Sequence, residues 1–103
     1  MIKNKMPKTL DPIDVFNTSH KKMHEMYASA ESIYYSFEFS SEEKLEVISC
    51  SCARASGIAD MLRELGYEVR DSQGILVTQA VMNKFYALKH RAEMDVNNER
   101  KGA

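Results

Sequence analysis

Residues Ser40 to Gly66 read SSEEKLEVISCSCARASGIADMLRELG and carry the signals that decide the fold. Ser40 and Glu43, three residues apart, form a capping-box pattern. In this pattern the serine oxygen accepts a backbone N–H of the first helical turn and the glutamate returns to the cap. Gly66 follows the last apolar residue, at a position where helices commonly end. The stretch therefore predicts one helix over about residues 41–65.

Apolar residues recur every three or four positions between these two signals, which is the period of one helix face. A second apolar line widens this face, so more than one neighbouring element must cover it. We therefore expect the core helix of an all-α domain. The main apolar line consists of Leu45, Ile48, Cys52, Ala55, Ala59 and Leu62.

Small residues dominate the middle of this helix, from Ser49 to Ala59. Gly57 costs about 1 kcal/mol relative to alanine in a helix interior. Close approach of another helix would explain its presence, so we predict tight packing there, within the chain or between two chains. Arg54 interrupts the second apolar line. Its guanidinium is expected either to reach water along the helix surface or to bind an anion or a partner carboxylate.

The segment before this helix predicts another long helix over about residues 12–38. Asp11 and Pro12 are a capping residue and a first-turn proline, which mark a helix start. A short extended exit near residues 33–39 is an alternative, because this part is rich in residues that favour strands. The short connection predicts that the first two helices form a long antiparallel hairpin. The apolar rhythm is Ile13, Phe16, His20, Met23, Tyr27, Ala30, Tyr34 and Phe37.

A third helix is predicted over about residues 73–96. Asp71 to Gly74 has the composition of a turn, and we place the helix cap at Ser72 or nearby. A small β-hairpin over residues 67–77 is the alternative. We therefore expect one helical domain over residues 11–96, a basic tail over residues 1–10 and a frayed polar tail over residues 97–103.

The composition places the chain among ordinary globular proteins of one domain. It has 103 residues and a net charge of −1, so no strong overall field attracts nucleic acid or an anionic membrane. The basic start of the chain has no apolar segment after it, so we expect neither a secretion signal nor a membrane span. Two thiols without a pairing geometry fit a reducing compartment, and we expect the protein in the cytoplasm.

A helical bundle that binds a small ligand or a metal through His20, His24 or Arg54 is one alternative function. His20 and His24 are four residues apart and face the same side of a helix, so they form a candidate metal site that His90 and Glu93 would complete. Lys21 and Lys22 lie between the histidines and would repel a cation. Cys50 and Cys52 lack the spacing of a zinc site. We expect Cys52, on the main apolar line, to pack in the core and Cys50 to lie at its boundary. We predict no cofactor.

Nucleic-acid binding is an alternative function, with Lys84, Lys89 and Arg91 as the candidate phosphate contacts. Glu93 and Asp95 follow these cations directly, and positive charge near a helix end also has a simple cause in the helix dipole. We therefore rank this function below protein binding.

Protein binding is the function that we predict. The sequence has no catalytic constellation and no phosphate-binding loop, so we expect a non-enzymatic adaptor, inhibitor or regulator. Tyrosine, phenylalanine and methionine cluster near the end of the first helix and suit an interface. The apolar faces are too wide for three helices to cover, so we also expect a homodimer that completes the bundle. The predicted contact residues are Tyr34, Tyr35, Phe39 and Arg54.

Overall fold

A computed structural model describes residues 11–102, which form three α-helices and confirm the all-α class. The helices are α1 (Pro12–Tyr34), α2 (Ser41–Glu64) and α3 (Val77–Gly102). Each helix contacts the other two. The basic tail predicted over residues 1–10 lies outside the described residues.

Helix α1 begins as predicted and ends earlier than predicted. The Asp11 side chain accepts a hydrogen bond from the N–H of Ile13 at 2.9 Å, and Pro12 occupies the first turn. The helix ends at Tyr34, not near residue 38. Beyond it, the Ser36 hydroxyl accepts the N–H of Glu38 at 3.1 Å. This local bond gives the backbone an alternative to the helix, which explains the early end.

Helix α2 has both of its predicted end signals. The N–H of Glu43 donates to the Ser40 hydroxyl at 3.1 Å, and the N–H of Ser40 donates to the Glu43 carboxylate at 2.9 Å. The predicted capping box is thus confirmed. At the other end, Gly66 adopts a left-handed conformation with φ of 86°. This allows the N–H of Tyr67 to reach the carbonyl of Leu62 at 2.9 Å and close the helix.

The segment between α2 and α3 is held by Asp71. Its carboxylate accepts the N–H groups of Gln73 at 2.8 Å and Ile75 at 3.0 Å. Ser72 therefore lies inside a turn and does not cap α3, which begins at Val77, not at residue 73. The alternative β-hairpin is reduced, in the described chain, to a single antiparallel bridge between Arg70 and Leu76.

Helix α3 continues beyond the predicted end at residue 96 as far as Gly102. No proline or glycine interrupts residues 97–101, and Arg100 near the end of α3 approaches Glu42 of α2 at 3.7 Å. The predicted frayed tail is therefore wrong for residues 97–102. An exposed ion pair of this kind adds little stability, so α3 continues to Gly102 mainly because no helix-breaking residue precedes it.

The three helices enclose one core, with the fully buried ring of Phe85 among its largest side chains. Tyr27 meets this ring edge-on at a centroid distance of 5.3 Å, a favourable aromatic geometry. Five of the six residues of the main α2 line are buried, and the sixth, Leu45, is half-buried. The buried core residues are Phe16, Met23, Ala30, Ile48, Cys52, Ala55, Ala59, Leu62, Val81, Met82, Phe85, Leu88, Ala92 and Val96.

The small residues of α2 divide into an inner and an outer group. Ala55 is fully buried and Ala59 nearly so, which agrees with the predicted close packing. Gly57 is exposed, and a Cβ atom added to it would meet no atom of the described chain within 4 Å. Packing within the chain, one of the two explanations that the sequence left open, therefore does not account for Gly57.

Candidate functional site

The connection between α1 and α2 presents three aromatic side chains to solvent. Phe37 has a relative exposure of 102%, so its ring is as accessible as in an extended peptide. Tyr35 is 57% exposed and Phe39 is 37% exposed. We call Tyr35, Phe37 and Phe39 the aromatic tip. Phenylalanine is normally among the buried residue types, so three exposed aromatic side chains within five residues are unusual.

Hydrogen bonds hold the backbone of this connection on both sides of Phe37. On one side, the N–H of Ser36 donates to the carbonyl of Ile33 at 3.1 Å, and the Ser36 hydroxyl accepts the N–H of Glu38. On the other side, the capping box fixes Ser40 at the start of α2. The aromatic rings therefore project from a short turn whose two ends are anchored.

Helix α3 supports the tip from the side through Arg91 and Asp95. The Arg91 guanidinium donates to the Tyr35 hydroxyl at 3.0 Å and lies 5.0 Å from the ring centre of Tyr34. The Tyr34 hydroxyl donates to the Asp95 carboxylate at 2.7 Å. The rings of Tyr34 and Tyr35 also meet edge-on at 5.0 Å. These contacts hold Tyr35 against α3 and Tyr34.

The ionisation of this cluster follows from the same contacts. The hydrogen bond to Asp95 raises the pKa of Tyr34, and burial of the ring adds to the effect. The hydrogen bond to Tyr35 raises the pKa of Arg91. A neutral phenol and a charged guanidinium are therefore the favoured forms over the physiological pH range.

The predicted partner-binding residues fall on two separate surfaces. Tyr35 and Phe39 lie in the aromatic tip, and half-buried Tyr34 lies beneath it as a support. Arg54 lies thirteen residues beyond Ser41 on α2, which is about 20 Å along the helix axis. There it lines a groove together with Lys22 and Met26. The structure therefore separates Arg54 from the tyrosines with which it was grouped.

The sequence included Phe37 in the aromatic cluster but not among the predicted contact residues, and it did not place Arg91 at this site. The three-four rhythm assigned Phe37 to the apolar stripe of α1, and Arg91 was grouped with the nucleic-acid candidates. Ser36 and Ser40 on either side of Phe37 are the signal that favours a turn over a continued helix. The pairing of Arg91 with the tyrosines depends on how α3 is rotated and has no local signal.

The three candidate phosphate contacts do not form one basic surface. Lys84 lies 5.9 Å from the ring centre of Tyr27, and Arg91 lies against Tyr34, so both cations face α1. Lys89 is near Cys52 of α2, where its charge acts on the thiol. Because Lys89 is 140° around the helix from Lys84, the cations point in different directions.

The two histidines lie on one face of α1, as the sequence predicts, and their rings meet edge-on. Their ring centres are 4.5 Å apart, and Phe16 stacks on the other side of His20 at 5.4 Å. The Nε2 atom of His20 is buried and has no hydrogen-bond partner among the described residues. Burial, with a smaller effect from His24, lowers the pKa of His20. Within residues 11–102, no three His, Cys, Asp or Glu side chains gather to hold a metal.

The two cysteines face different environments. Cys52 is buried in the core, and this burial raises the pKa of its thiol, so the reactive thiolate is disfavoured. Cys50 is exposed on the other side of α2. Cys52 therefore behaves as a small apolar core residue, as the sequence predicted.

Comparisons with protein-family models, with curated proteins and with solved structures found no match. Across residues 11–102, none of the three helices has an apolar stretch long enough to cross a membrane.

Proposed function

We propose that this chain is a non-enzymatic protein–protein interaction module that binds another protein through the aromatic tip. The observation that carries the proposal is the complete exposure of Phe37 between two other exposed aromatic side chains. In this position the ring contributes almost nothing to the stability of the chain itself, because it buries no surface there. A partner that covers it would supply that burial.

The tip offers a large free energy of burial for its size. An aromatic side chain buries 150–250 Å² when it is fully covered. At about 25 cal/mol per Å², covering the Phe37 ring contributes roughly 4–6 kcal/mol before the costs of association are subtracted. Tyrosine and arginine beside it are the residue types that most often dominate binding energy at interfaces.

The anchored geometry of the tip favours binding by lowering its entropic cost. Tyr35 is already held by Arg91 and by Tyr34, and the turn around Phe37 is already closed by hydrogen bonds. Side chains that are ordered before binding lose less rotamer freedom when the partner docks. The same arrangement provides a charged and polar rim around an apolar centre, as in typical interfaces.

The biological role that follows is an adaptor, an inhibitor or a regulator that acts by occupying a surface of another protein. Self-association into a homodimer stays a prediction, and native mass spectrometry of the purified chain measures it directly. Binding by a second copy and binding by a different protein are distinguished by the mass of the covalent adduct in the experiment below.

Site-specific photo-crosslinking tests the proposal. Phe37 is replaced by p-benzoylphenylalanine in cells that naturally make the chain, and the adducts are identified by mass spectrometry. The matched control places the same group at Tyr86, an aromatic residue of α3 that is 49% exposed. We expect a discrete protein adduct from position 37 that is absent from position 86. No adduct from position 37, or the same adducts from both positions, would contradict the proposal.

A further inference from the structure

A second candidate surface lies between α1 and α2, away from the aromatic tip. Two adjoining hollows share Lys22, Met26 and Arg54 and therefore form one continuous depression, which we call the α1–α2 groove. Its complete lining is Lys22, Glu25, Met26, Ser29, Ser51, Arg54, Gly57, Ile58 and Met61.

The floor of the groove is apolar, and its α2 side is shallow. Met26 and Ile58 are half-buried and pack against the core from the outside, while Met61 is 45% exposed. The α2 side of the groove is shallow because Ser51 and Gly57, which line it, carry little or no side chain. Gly57 has no neighbour within 4 Å of an added Cβ in the described chain, so space remains above it.

Two cations flank the middle of the groove. Lys22 projects from α1 and Arg54 from α2, and both are exposed. Neither forms an ion pair with another described residue, whereas the groove contains one carboxylate, that of Glu25. The groove is therefore mainly apolar at its Gly57–Met61 end, polar at its Ser51 end, and carries an excess of positive charge.

We propose that the α1–α2 groove binds an amphipathic α-helix of a partner protein, with an apolar stripe flanked by aspartate or glutamate. The depression runs beside two helices, and its small residues allow a third helix to approach to the usual 8–10 Å between axes. The eleven residues from Ser51 to Met61 span about 15 Å along α2, which matches roughly three turns of a docked helix. The carboxylates of that helix pair with Lys22 and Arg54.

Charge distinguishes this partner from a second copy of the chain. A two-fold interface places the same patch on both subunits. Because Lys22 and Arg54 lie at the centre of the groove, such a dimer would bring four cations together with two carboxylates. Like charges at close range oppose association, so an acidic helix from a different chain is the favoured occupant.

Titration with two synthetic peptides tests the inference on the full-length chain. Both peptides are three-turn amphipathic helices with the same leucine stripe, one flanked by glutamates and the other by lysines. Amide chemical shifts of the ¹⁵N-labelled chain report where each peptide binds. We expect the acidic peptide to shift the amides of Ser51 and Gly57, and the basic peptide to bind at least about tenfold more weakly.

Paired variants separate binding in the groove from non-specific attraction. Gly57→Leu places a large side chain on the shallow α2 side of the groove. Leucine has a better helix propensity than glycine, so the variant should stay folded and be at least as stable as the wild type. Ala53→Leu adds the same side chain at an exposed position of α2 outside the groove lining. Lys22→Glu reverses a charge in the groove, and Lys21→Glu reverses the neighbouring charge outside it.

The expected result is that Gly57→Leu and Lys22→Glu each weaken the acidic peptide at least about tenfold, while Ala53→Leu and Lys21→Glu do not. Unchanged binding to Gly57→Leu, equal binding of the two peptides, or shifts centred on the aromatic tip would overturn the inference. A dimer in native mass spectrometry that Gly57→Leu dissolves would identify a second copy as the occupant and would also overturn it. Phe37→Ala should leave the peptide affinity unchanged, so this result is independent of the proposed role of the tip.

Discussion

The hydrogen bond from Tyr34 to Asp95 should tie the aromatic tip to α3, and removing it should destabilise the chain measurably. The two oxygens are 2.7 Å apart, and the residues are 61 positions apart in sequence. Tyr34→Phe deletes the hydroxyl while it keeps the ring that packs on Tyr35 and Arg91. The substitution therefore isolates the hydrogen bond from the aromatic contacts.

The size of the effect follows from the charge and burial of the pair. A hydrogen bond to a charged group contributes about 1.5–3 kcal/mol, and the lower end applies because both side chains are half-buried. We therefore expect Tyr34→Phe to lower the free energy of unfolding by about 1.5 kcal/mol. For a domain of this length, that corresponds to a fall in Tm of about 6–12 °C.

Urea unfolding of Tyr34→Phe, Asp95→Ala and the double variant measures this coupling. We expect the double variant to be about 1 kcal/mol more stable than the sum of the single effects predicts. Additive losses, or a loss below about 0.3 kcal/mol for Tyr34→Phe, would refute the role of the bond.

The pKa of Tyr34 gives the coupling a second signature at alkaline pH. Because Asp95 raises this pKa in the folded state, the stabilisation is complete below about pH 10 and is lost as the pH rises through the folded-state value. The wild type should therefore lose more stability than Tyr34→Phe above pH 10. The raised pKa of Tyr27 is present in both chains and cancels in the comparison.

Three further predictions concern the rest of the fold. Burial lowers the pKa of His20, so its contribution to stability should be complete above about pH 6.5 and fall at lower pH. Between pH 7 and pH 5, the urea midpoint of His20→Gln should therefore change less with pH than that of the wild type. Equal pH dependence of the two midpoints would contradict this. In urea unfolding, Phe85→Ala should lower the free energy of unfolding by about 3–5 kcal/mol because the ring is fully buried. Exposed Tyr86→Ala should lower it by about 0.5 kcal/mol, and similar losses of stability for the two variants would contradict the assigned core. Ser40→Ala should cost about 1 kcal/mol through loss of the capping box, and an unchanged thermal midpoint would show that the cap is not stabilising.

The features that the sequence predicts well are those that depend on neighbouring residues. The caps at Asp11 and Ser40 act within three residues of the helix start, so their patterns identify the starts of α1 and α2 directly. The apolar line of α2 has the helical period, and most of it is buried. The start of α3 was placed too early, because a serine within a turn and a serine that caps a helix have similar local patterns.

The candidate site was only partly predictable, because it depends on contacts between distant segments. The pattern placed Tyr35 and Phe39 among the binding residues, but the position of Arg91 against Tyr35 depends on the rotation of α3 about its axis. Phe37 continues the three-four spacing of the apolar residues of α1, although the helix itself ends at Tyr34. For Gly57 the sequence left packing within the chain and packing between two chains open, because it does not reveal which side of α2 remains uncovered.

The role of the aromatic tip is tested by measuring how tightly the protein that crosslinks at position 37 binds the purified chain and the variant Phe37→Ala. The matched control is Ile13→Ala, which removes a side chain that is 67% exposed and belongs to α1. Both variants should keep the unfolding free energy of the wild type within about 0.5 kcal/mol. If the aromatic tip is the binding site, Phe37→Ala should lower the affinity at least about tenfold while Ile13→Ala leaves it unchanged. Equal affinities for Phe37→Ala and the wild type would contradict the account.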